Sequence, residues 1–588
     1  MASAVELDEF VSSGRGIAEQ IGEHQTLRYW IALSNRAENV SEKALQLANT
    51  KLIHEGFFFT KSGINDHHLE KMVTVLNKWI IKETKNHEKV ILCQNAAYTL
   101  KLLAKRLTHC SDCLIFAETM EKCTNVISHY QILDDFMVGN ILLLAGELIR
   151  FRKMKTTMAS AIPLLKTCLS ILEEFSSNQK DNEEFINLLE VEPSKQQRLR
   201  QQSLSGKKLG SSMMLVCALT CMQRIIDQFA SFVSKFLSDI IIQICCLTGR
   251  IYSIRSALVK VEPRVLPEHF SKAVIQLGSN EKALLALFVL LKSYFNPKNQ
   301  VTVTQIRETL MTDVFLNGLE YRARKTSTEG AHCVVVVENS VFKALLAMAE
   351  ILTENSFRSV MNIFVDWADI ESESSVVEGS CCRLTILFRF ANSFYDSFNS
   401  LSLPYFGKLV SIANKILRAR DASAVNDGRK PVVFSESDLI TNVIDFIANC
   451  ARHREFFSQD RARMLVEPLV NEVMNVNSSG HKERCVNHLS NALYNIADIH
   501  PDNFQDILDK ILLMTRNKKA KVRHRSLLVI GAMFDKVGDS VAPYLPMIMP
   551  FLSELLEDEN RKVEAQCELV VRMLQDKFGE NICENFLQ

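Results

Sequence analysis

A stretch close to the C-terminal end of this chain repeats itself at an offset of about 41 residues, and a repeat of that length leaves few folds open. Lys521-Val522-Arg523 aligns with Lys562-Val563-Glu564, Leu528-Val529-Ile530 with Leu569-Val570-Val571, and Asp535-Lys536-Val537-Gly538 with Asp576-Lys577-Phe578-Gly579. Apolar or small residues fall at Val522, Ser526, Val529, Ile530, Met533 and Val537 in one copy. In the other they fall at Val563, Cys567, Val570, Val571, Leu574 and Phe578. Steps of three and four put each set on one face of a helix, so the spacing predicts two equivalent helices with one buried stripe each. Gly538 and Gly579 stand where those helices should stop, because glycine accepts the left-handed conformation that closes a C-terminus.

A second apolar stretch precedes each stripe, roughly Phe504 to Met514 and Val541 to Leu556. The unit is then an antiparallel helix pair, within the HEAT and armadillo range. Such a pair cannot bury its inner face alone and needs neighbours stacked on it. The expected fold is therefore all-α, a HEAT/armadillo-like α-solenoid of stacked antiparallel helix pairs. Pro543 is expected in the opening turn of the last unit's first helix, and Pro550 should kink that helix by removing a backbone donor.

With 588 residues, 47% hydrophobic and 23% charged, the chain can bury a long continuous core but is too long for one compact unit. Its 16 cysteines are scattered, mostly among apolar residues, which is the usage of a reducing compartment where thiols fill core space. The apolar runs Met137 to Gly146 and Ala283 to Leu291 are too short to span a bilayer. Acidic residues Glu6, Asp8 and Glu9 interrupt the N-terminus before any signal-peptide core develops.

Polar breaks divide the helical pattern. Helical repeats are expected over 1–175, a polar, flexible linker over 176–210, helical repeats over 211–368, and an acidic loop over 369–381. A helical repeat segment then covers 382–420, a polar loop 421–438, and C-terminal HEAT-like repeats 439–588. The run Val334 to Val337 is compatible with a short strand, but four residues cannot establish a sheet.

No motif for chemistry stands out. His109-Cys110-Ser111-Asp112-Cys113 lacks the second spaced pair that a zinc site needs. Gly206-Lys207-Lys208 has lysine where a phosphate-binding loop needs Ser or Thr, and no strand leads into it. The pairs Cys245-Cys246 and Cys381-Cys382 read as core residues on helices. No GxSxG context surrounds any serine. No catalytic residue, metal ligand, cofactor, membrane contact or small-molecule substrate is expected.

What remains is charge at the joints of the repeat. The segment Arg516-Asn517-Lys518-Lys519-Ala520-Lys521-Val522-Arg523-His524-Arg525 carries six basic Arg and Lys side chains. Arg516, Lys518, Lys519, Lys521, Arg523 and Arg525 are thus candidate contacts to RNA or to an acidic protein. The equivalent turn one repeat later holds Glu557, Asp558 and Glu559, candidate protein contacts of opposite sign. The whole-chain balance of 68 basic against 68 acidic residues conceals this contrast. A second basic tract, Lys195 to Lys208, places Arg200 three residues before Ser203, a spacing that basophilic kinases accept.

Phe364-Val365-Asp366-Trp367-Ala368, Cys382-Arg383-Leu384-Thr385, Glu467-Pro468-Leu469-Val470, Lys521-Val522-Arg523 and the run Pro550-Phe551-Leu552-Ser553-Glu554-Leu555-Leu556-Glu557-Asp558-Glu559 carry a family likeness. From about residue 260 onward the chain resembles the C-terminal region of the large nucleolar HEAT-repeat proteins of the small-subunit processome. That resemblance implies a non-catalytic scaffold in nucleolar pre-ribosomal particles, acting in small-subunit ribosomal RNA processing and assembly and in support of ribosomal RNA transcription. It implies processome proteins and pre-ribosomal or small nucleolar RNA as partners, and the nucleus and nucleolus as location. Members of that family are much longer, so the chain reads as a C-terminal portion or truncated product. A helical-repeat transport or protein-interaction adaptor is the other architecture-compatible role. It would call for regularly spaced Trp and Asn on successive inner helices, and Trp30, Trp79 and Trp367 are too few for such an array.

Overall fold

Helix follows helix through the computed structural model, which describes residues 70–579 apart from several stretches, the longest being 107–112, 178–205, 248–257, 325–330, 370–376, 426–435 and 475–482. The chain divides into two units, Met1–Ile306 and Arg307–Gln588. Both are built of stacked helix pairs, and the fold class is the HEAT/armadillo-like α-solenoid type expected from the repeat.

In the first unit, α1 (His87–Arg106), α3 (Asp135–Leu148) and α5 (Gly206–Gln228) pack side by side. Against them lie α2 (Ala117–Ile127), α4 (Lys155–Ser177) and α6 (Leu237–Cys246), followed by α7 (Leu266–Gln276) and α8 (Glu281–Tyr294). Asp134 starts α3 by accepting from the amides of Phe136 and Met137, at 3.0 and 3.1 Å. The same oxygen takes the Gln94 carboxamide of α1 at 3.0 Å, so one cap also ties two helices. Helix α3 is buried nearly all round because it is sandwiched between α1 and α5. Gly146 faces α5, where a Cβ would stand 3.4 Å from the Cys221 Cα, in ordinary van der Waals contact. Cys93, Cys123, Cys168 and Cys221, one from each of α1, α2, α4 and α5, are all buried and free. Burial pushes the Cys93 thiol up to about 11, which leaves it a small core residue rather than a nucleophile.

The second unit alternates between two layers. One holds α9 (Ala331–Ile351), α11 (Val377–Phe398), α13 (Glu436–Cys450), α15 (Ser490–Ile499), α17 (Ala520–Val537) and α19 (Arg561–Phe578), each packed on the next. The other holds α10 (Glu354–Ala368), α12 (Gly407–Val425), α14 (Gln459–Asn471), α16 (Asp502–Met514) and α18 (Leu545–Leu556). The repeated stripe residues are buried where each helix packs on its pair partner and on the next helix of its layer. Val522, Val529, Ile530, Met533, Val563, Val570, Val571 and Leu574 are all at most 6% exposed. Repeat-equivalent lysines tie each pair to the preceding one: Lys577 Nζ donates to the Phe534 carbonyl at 3.2 Å, and Lys536 Nζ to Ser490 Oγ at 2.6 Å. A cation at the open C-terminal carbonyls of α17 also complements the helix dipole.

Four local expectations need correction. Val334 to Val337 is helical within α9, because Val334, Val337 and Val341 recur at helical spacing and are buried. Pro546, not Pro543, occupies the first turn of α18; Pro543 belongs to a 3-10 segment, Gly538–Tyr544, that precedes it. Gly538 and Gly579 end their helices at φ 64° and 93°, but with ψ of −135° and 157° they adopt extended glycine-only conformations instead of left-handed helix. Cys246, Cys381 and Cys382 are half-buried, unlike the fully buried Cys245. The Cys110 thiol, the Arg200 to Ser203 spacing and most of the 176–210 linker lie outside the described residues; Helix α4 runs to Ser177 and α5 begins at Gly206.

Candidate functional site

The two charged turns meet each other. Arg516 at the end of α16 donates to both oxygens of Glu554 on α18, at 2.9 and 2.5 Å, while its guanidinium lies 4.3 Å from the Phe551 ring centre. Arg523 in the first turn of α17 grips Asp558 with two bonds of 2.6 and 2.8 Å, and its Nη1 also donates to the carbonyls of Asn517 and Lys518. The Asp558 side chain is only 6% exposed, and the hydrogen bond from Arg523 holds its carboxyl below the usual carboxylate range. Arg525 points elsewhere. It is 4% exposed and donates to the Val473 carbonyl at 3.4 Å, near Glu472 and Arg484.

The candidate contact set therefore changes. Arg523, Arg525 and Asp558 hold successive repeats together and are not available as a ligand surface, and Arg516 is half engaged. The reason is geometric: a charge at each of two successive turns is satisfied most directly by its neighbour one repeat away. Lys518, Lys519 and Lys521 remain exposed on the basic turn, and Glu557 and Glu559 on the acidic one.

A second polar feature was not legible in the sequence. On the α9-to-α19 layer a cleft of about 320 Å³ opens across three adjacent helices. Helix α11 contributes Arg389, Asn392 and Asp396, and α13 contributes Asn442, Asp445 and Asn449. Asn491 of α15 and Arg452, just beyond α13, close the rim. On α11 and α13 these residues recur at steps of three and four, so each helix shows the cleft one polar face. Asn392 Nδ2 donates to the Asn442 main-chain oxygen at 3.0 Å, and Asn449 Nδ2 donates to Asn392 Oδ1 at 3.2 Å. Asp445 accepts from His488 Nδ1 at 2.6 Å, a bond that raises the His488 pKa above its ordinary value.

Behind the cleft, Arg389 is fixed by a buried cluster. Glu338 of α9 is 1% exposed; it takes two bonds from Arg322, at 2.5 and 2.9 Å, and an ion pair from Arg389. Arg389 also donates to Asn339 at 3.2 Å. Burial, then the neighbouring Arg322, pulls the Arg389 guanidinium down to about 10, still charged at neutral pH. Members of this site stand about fifty residues apart in the chain, each inside an unremarkable amphipathic helix, so only the stacking of helices reveals them. Among the described residues no group of His, Cys, Asp or Glu is arranged to hold a metal ion, and no helix is long and apolar enough to cross a membrane.

The BP28CT (NUC211) domain model matches residues 303–457, which include every cleft residue named except Asn491. The HEAT repeat-containing protein 1 homolog of Caenorhabditis elegans is 38% identical, over 98% of this chain and 41% of that protein. Human HEAT repeat-containing protein 1 is 25% identical, over 94% of this chain and 25% of its own length. U3 small nucleolar RNA-associated protein 10 of Candida glabrata is 25% identical, over 44% of this chain and 14% of that protein. The chain thus spans less than half the length of these relatives.

Proposed function

We propose that the chain belongs with the HEAT repeat-containing protein 1 homologs and works as a non-catalytic scaffold in nucleolar pre-ribosomal particles. In this reading it takes part in processing and assembly of small-subunit ribosomal RNA and supports ribosomal RNA transcription. The observation that carries the proposal is the 38% identity to the Caenorhabditis elegans homolog along 98% of the chain. The name of the Candida glabrata relative adds a small nucleolar RNA association to that line of descent. A stack of helix pairs is suited to the role, since it offers long lateral surfaces. The partners are processome proteins and pre-ribosomal or small nucleolar RNA, and RNA contact is carried chiefly through those proteins, because half of the basic turn is spent inside the molecule.

Affinity purification of the tagged chain from nucleolar extract tests this. It should recover processome proteins with small-subunit precursor RNA, and depletion should lower mature small-subunit RNA more than large-subunit RNA. Recovery of nuclear import receptors without precursor RNA would instead favour the adaptor role.

A further inference from the structure

Helix α18 is apolar on the side turned away from the core. Its inward residues, Leu545, Ile548, Met549, Leu552 and Leu555, are buried as the repeat requires. Its outward positions hold Pro546, Met547, Pro550 and Phe551, with both prolines exposed and the other two half-buried. One repeat earlier, the positions equivalent to Pro543, Met547, Pro550 and Phe551 are Asp502, Asp506, Asp509 and Lys510. Helix α14, earlier still in the same layer, exposes Asp460, Arg463 and Glu467. Charge on an outward face is what a solvated helix carries, whereas a helix that is apolar all round is a buried one. Helix α18 thus has the composition of a covered element, and its outward side is open.

The patch continues onto α16. Phe504 and Tyr544, at the starts of the two helices, pack edge to face at 4.8 Å, and Arg516 reaches Glu554 and the Phe551 ring near their ends. Like ends meet, so α16 and α18 run parallel and share one outward surface about 18 Å long. Leu513, 63% exposed and one turn before Arg516, extends the apolar strip. The charges on this surface do not balance. Asp506 is matched by Lys510 at 2.8 Å and Glu554 by Arg516, which leaves Asp502 and Asp509, both exposed, without a cation on either helix. The exposed charges of the two turns, Lys518, Lys519 and Lys521 with Glu557 and Glu559, lie past the C-terminal ends of the helices. Asp502, Asp506, Asp509 and Leu513 recur at steps of four, three and four, so one stripe of α16 passes from acidic to apolar.

An apolar strip flanked by unmatched carboxylates fits an apolar face flanked by lysine or arginine. The occupant must also satisfy its own backbone, because the main-chain groups of α16 and α18 are largely paired within each helix and Pro546 and Pro550 have no N–H to give. A helix meets that condition and an extended strand does not. We propose that the outward faces of α16 and α18 receive an amphipathic helix of a partner protein, its apolar side on Leu513, Met547, Pro550 and Phe551 and its basic flank against Asp502 and Asp509. The surface is separate from the polar cleft of the other layer, and the proposal holds whether or not the chain works in pre-ribosomal particles.

The test uses the full chain and a fluorescein-labelled helical peptide of Leu and Lys, with leucines at steps of three and four, read by anisotropy. A Leu and Glu peptide of the same pattern is the charge control. The double variant Met547→Asp, Phe551→Lys gives α18 the residues that α16 carries at the equivalent positions, and a second variant, Asp502→Asn, Asp509→Asn, removes the two unmatched charges. Both pairs of residues lie on the outward side, so the thermal midpoint should be kept. If the first variant loses it, the second, which leaves the apolar strip untouched, decides alone. The Leu and Lys peptide should bind at least about tenfold more weakly to the first variant. Its advantage over the Leu and Glu peptide should shrink in the second. Four results would overturn the proposal: equal binding to the wild type and both variants, equal binding by a peptide of the same composition broken with central prolines, a wild-type dimer in sedimentation that the first variant dissolves, or binding to phosphatidylcholine vesicles that the first variant abolishes. The last two would assign the patch to a second copy of the chain or to lipid.

Discussion

Arg523 and Arg525 stand two residues apart on α17 and serve opposite neighbours. A helix turns successive side chains by about 100°, so positions i and i+2 leave on different faces. Arg523 reaches forward to Asp558, and Arg525 reaches back to the Val473 carbonyl. Replacing Asp558 with Asn keeps the shape but removes the charge from a nearly buried two-bond pair. It should cost about 1.5–3 kcal/mol in chemical denaturation, the range for hydrogen bonds between charged groups. The pH dependence follows in sign. The folded-state pKa of Asp558 is depressed by Arg523, so its contribution is present above the ordinary carboxylate value near 3.8 and is lost as pH falls through the folded value. Hydrogen exchange in α19 should therefore rise below about pH 4 in the wild type and show no such step in Asp558→Asn. His488 runs the other way. Its pKa is raised by the bond to Asp445, so its share of stability is fully present below 6.5 and fades as pH rises through the higher folded value. An Asp445→Asn variant should lower the His488 pKa in an NMR titration; an unchanged midpoint would remove Asp445 as the cause.

At the scale of the helix pair, stability comes from the seam between layers. Leu574 is 1% exposed on α19 and Met533, its repeat equivalent on α17, is also 1% exposed. Leu574→Asp removes buried apolar surface and places an unpaired carboxylate there, at a cost of several kcal/mol, on the order of 3–5. Limited proteolysis should then cut first within α18 and α19; if the rest of the chain is cleaved equally early, the last pair does not unfold as a unit. The seam was readable in the sequence because the last two pairs keep the same spacing of apolar residues and the same Asp-Lys-x-Gly ending. Earlier pairs differ in length and carry π turns at Met311–Phe315 and Arg484–Leu489, which shift the helical phase and hide the period. Proline placement was harder to read, since Pro543 and Pro546 both suit a helix start, and only the structure shows that Pro543 falls inside the 3-10 segment while Pro546 falls in the first turn of α18.

Over the whole molecule the charge is even, 68 basic against 68 acidic residues, and the structure shows how much of it is spent internally. Charge spacing along the sequence marks where ions lie, not whether they face a partner or each other. That is why the basic turn was legible as a segment while its pairing was not, and why the buried Glu338 cluster looked like an ordinary helix surface. The remaining exposed lysines, Lys518, Lys519 and Lys521, set a ceiling on RNA binding by this turn. Each single-strand phosphate contact contributes about 0.7 to the slope of log affinity against log salt. Three lysines can thus supply a slope of about −2, whereas all six basic residues of the turn would supply about −4. Titration of the full chain with a single-stranded RNA of mixed sequence should give the shallower value. The triple reversal Lys518→Glu, Lys519→Glu, Lys521→Glu should flatten it towards zero without moving the thermal midpoint, because none of the three is buried. A steep slope that survives the reversal would place the RNA surface elsewhere on the chain, and a fall in thermal midpoint would show that these lysines, like Arg523, belong to the joints between repeats.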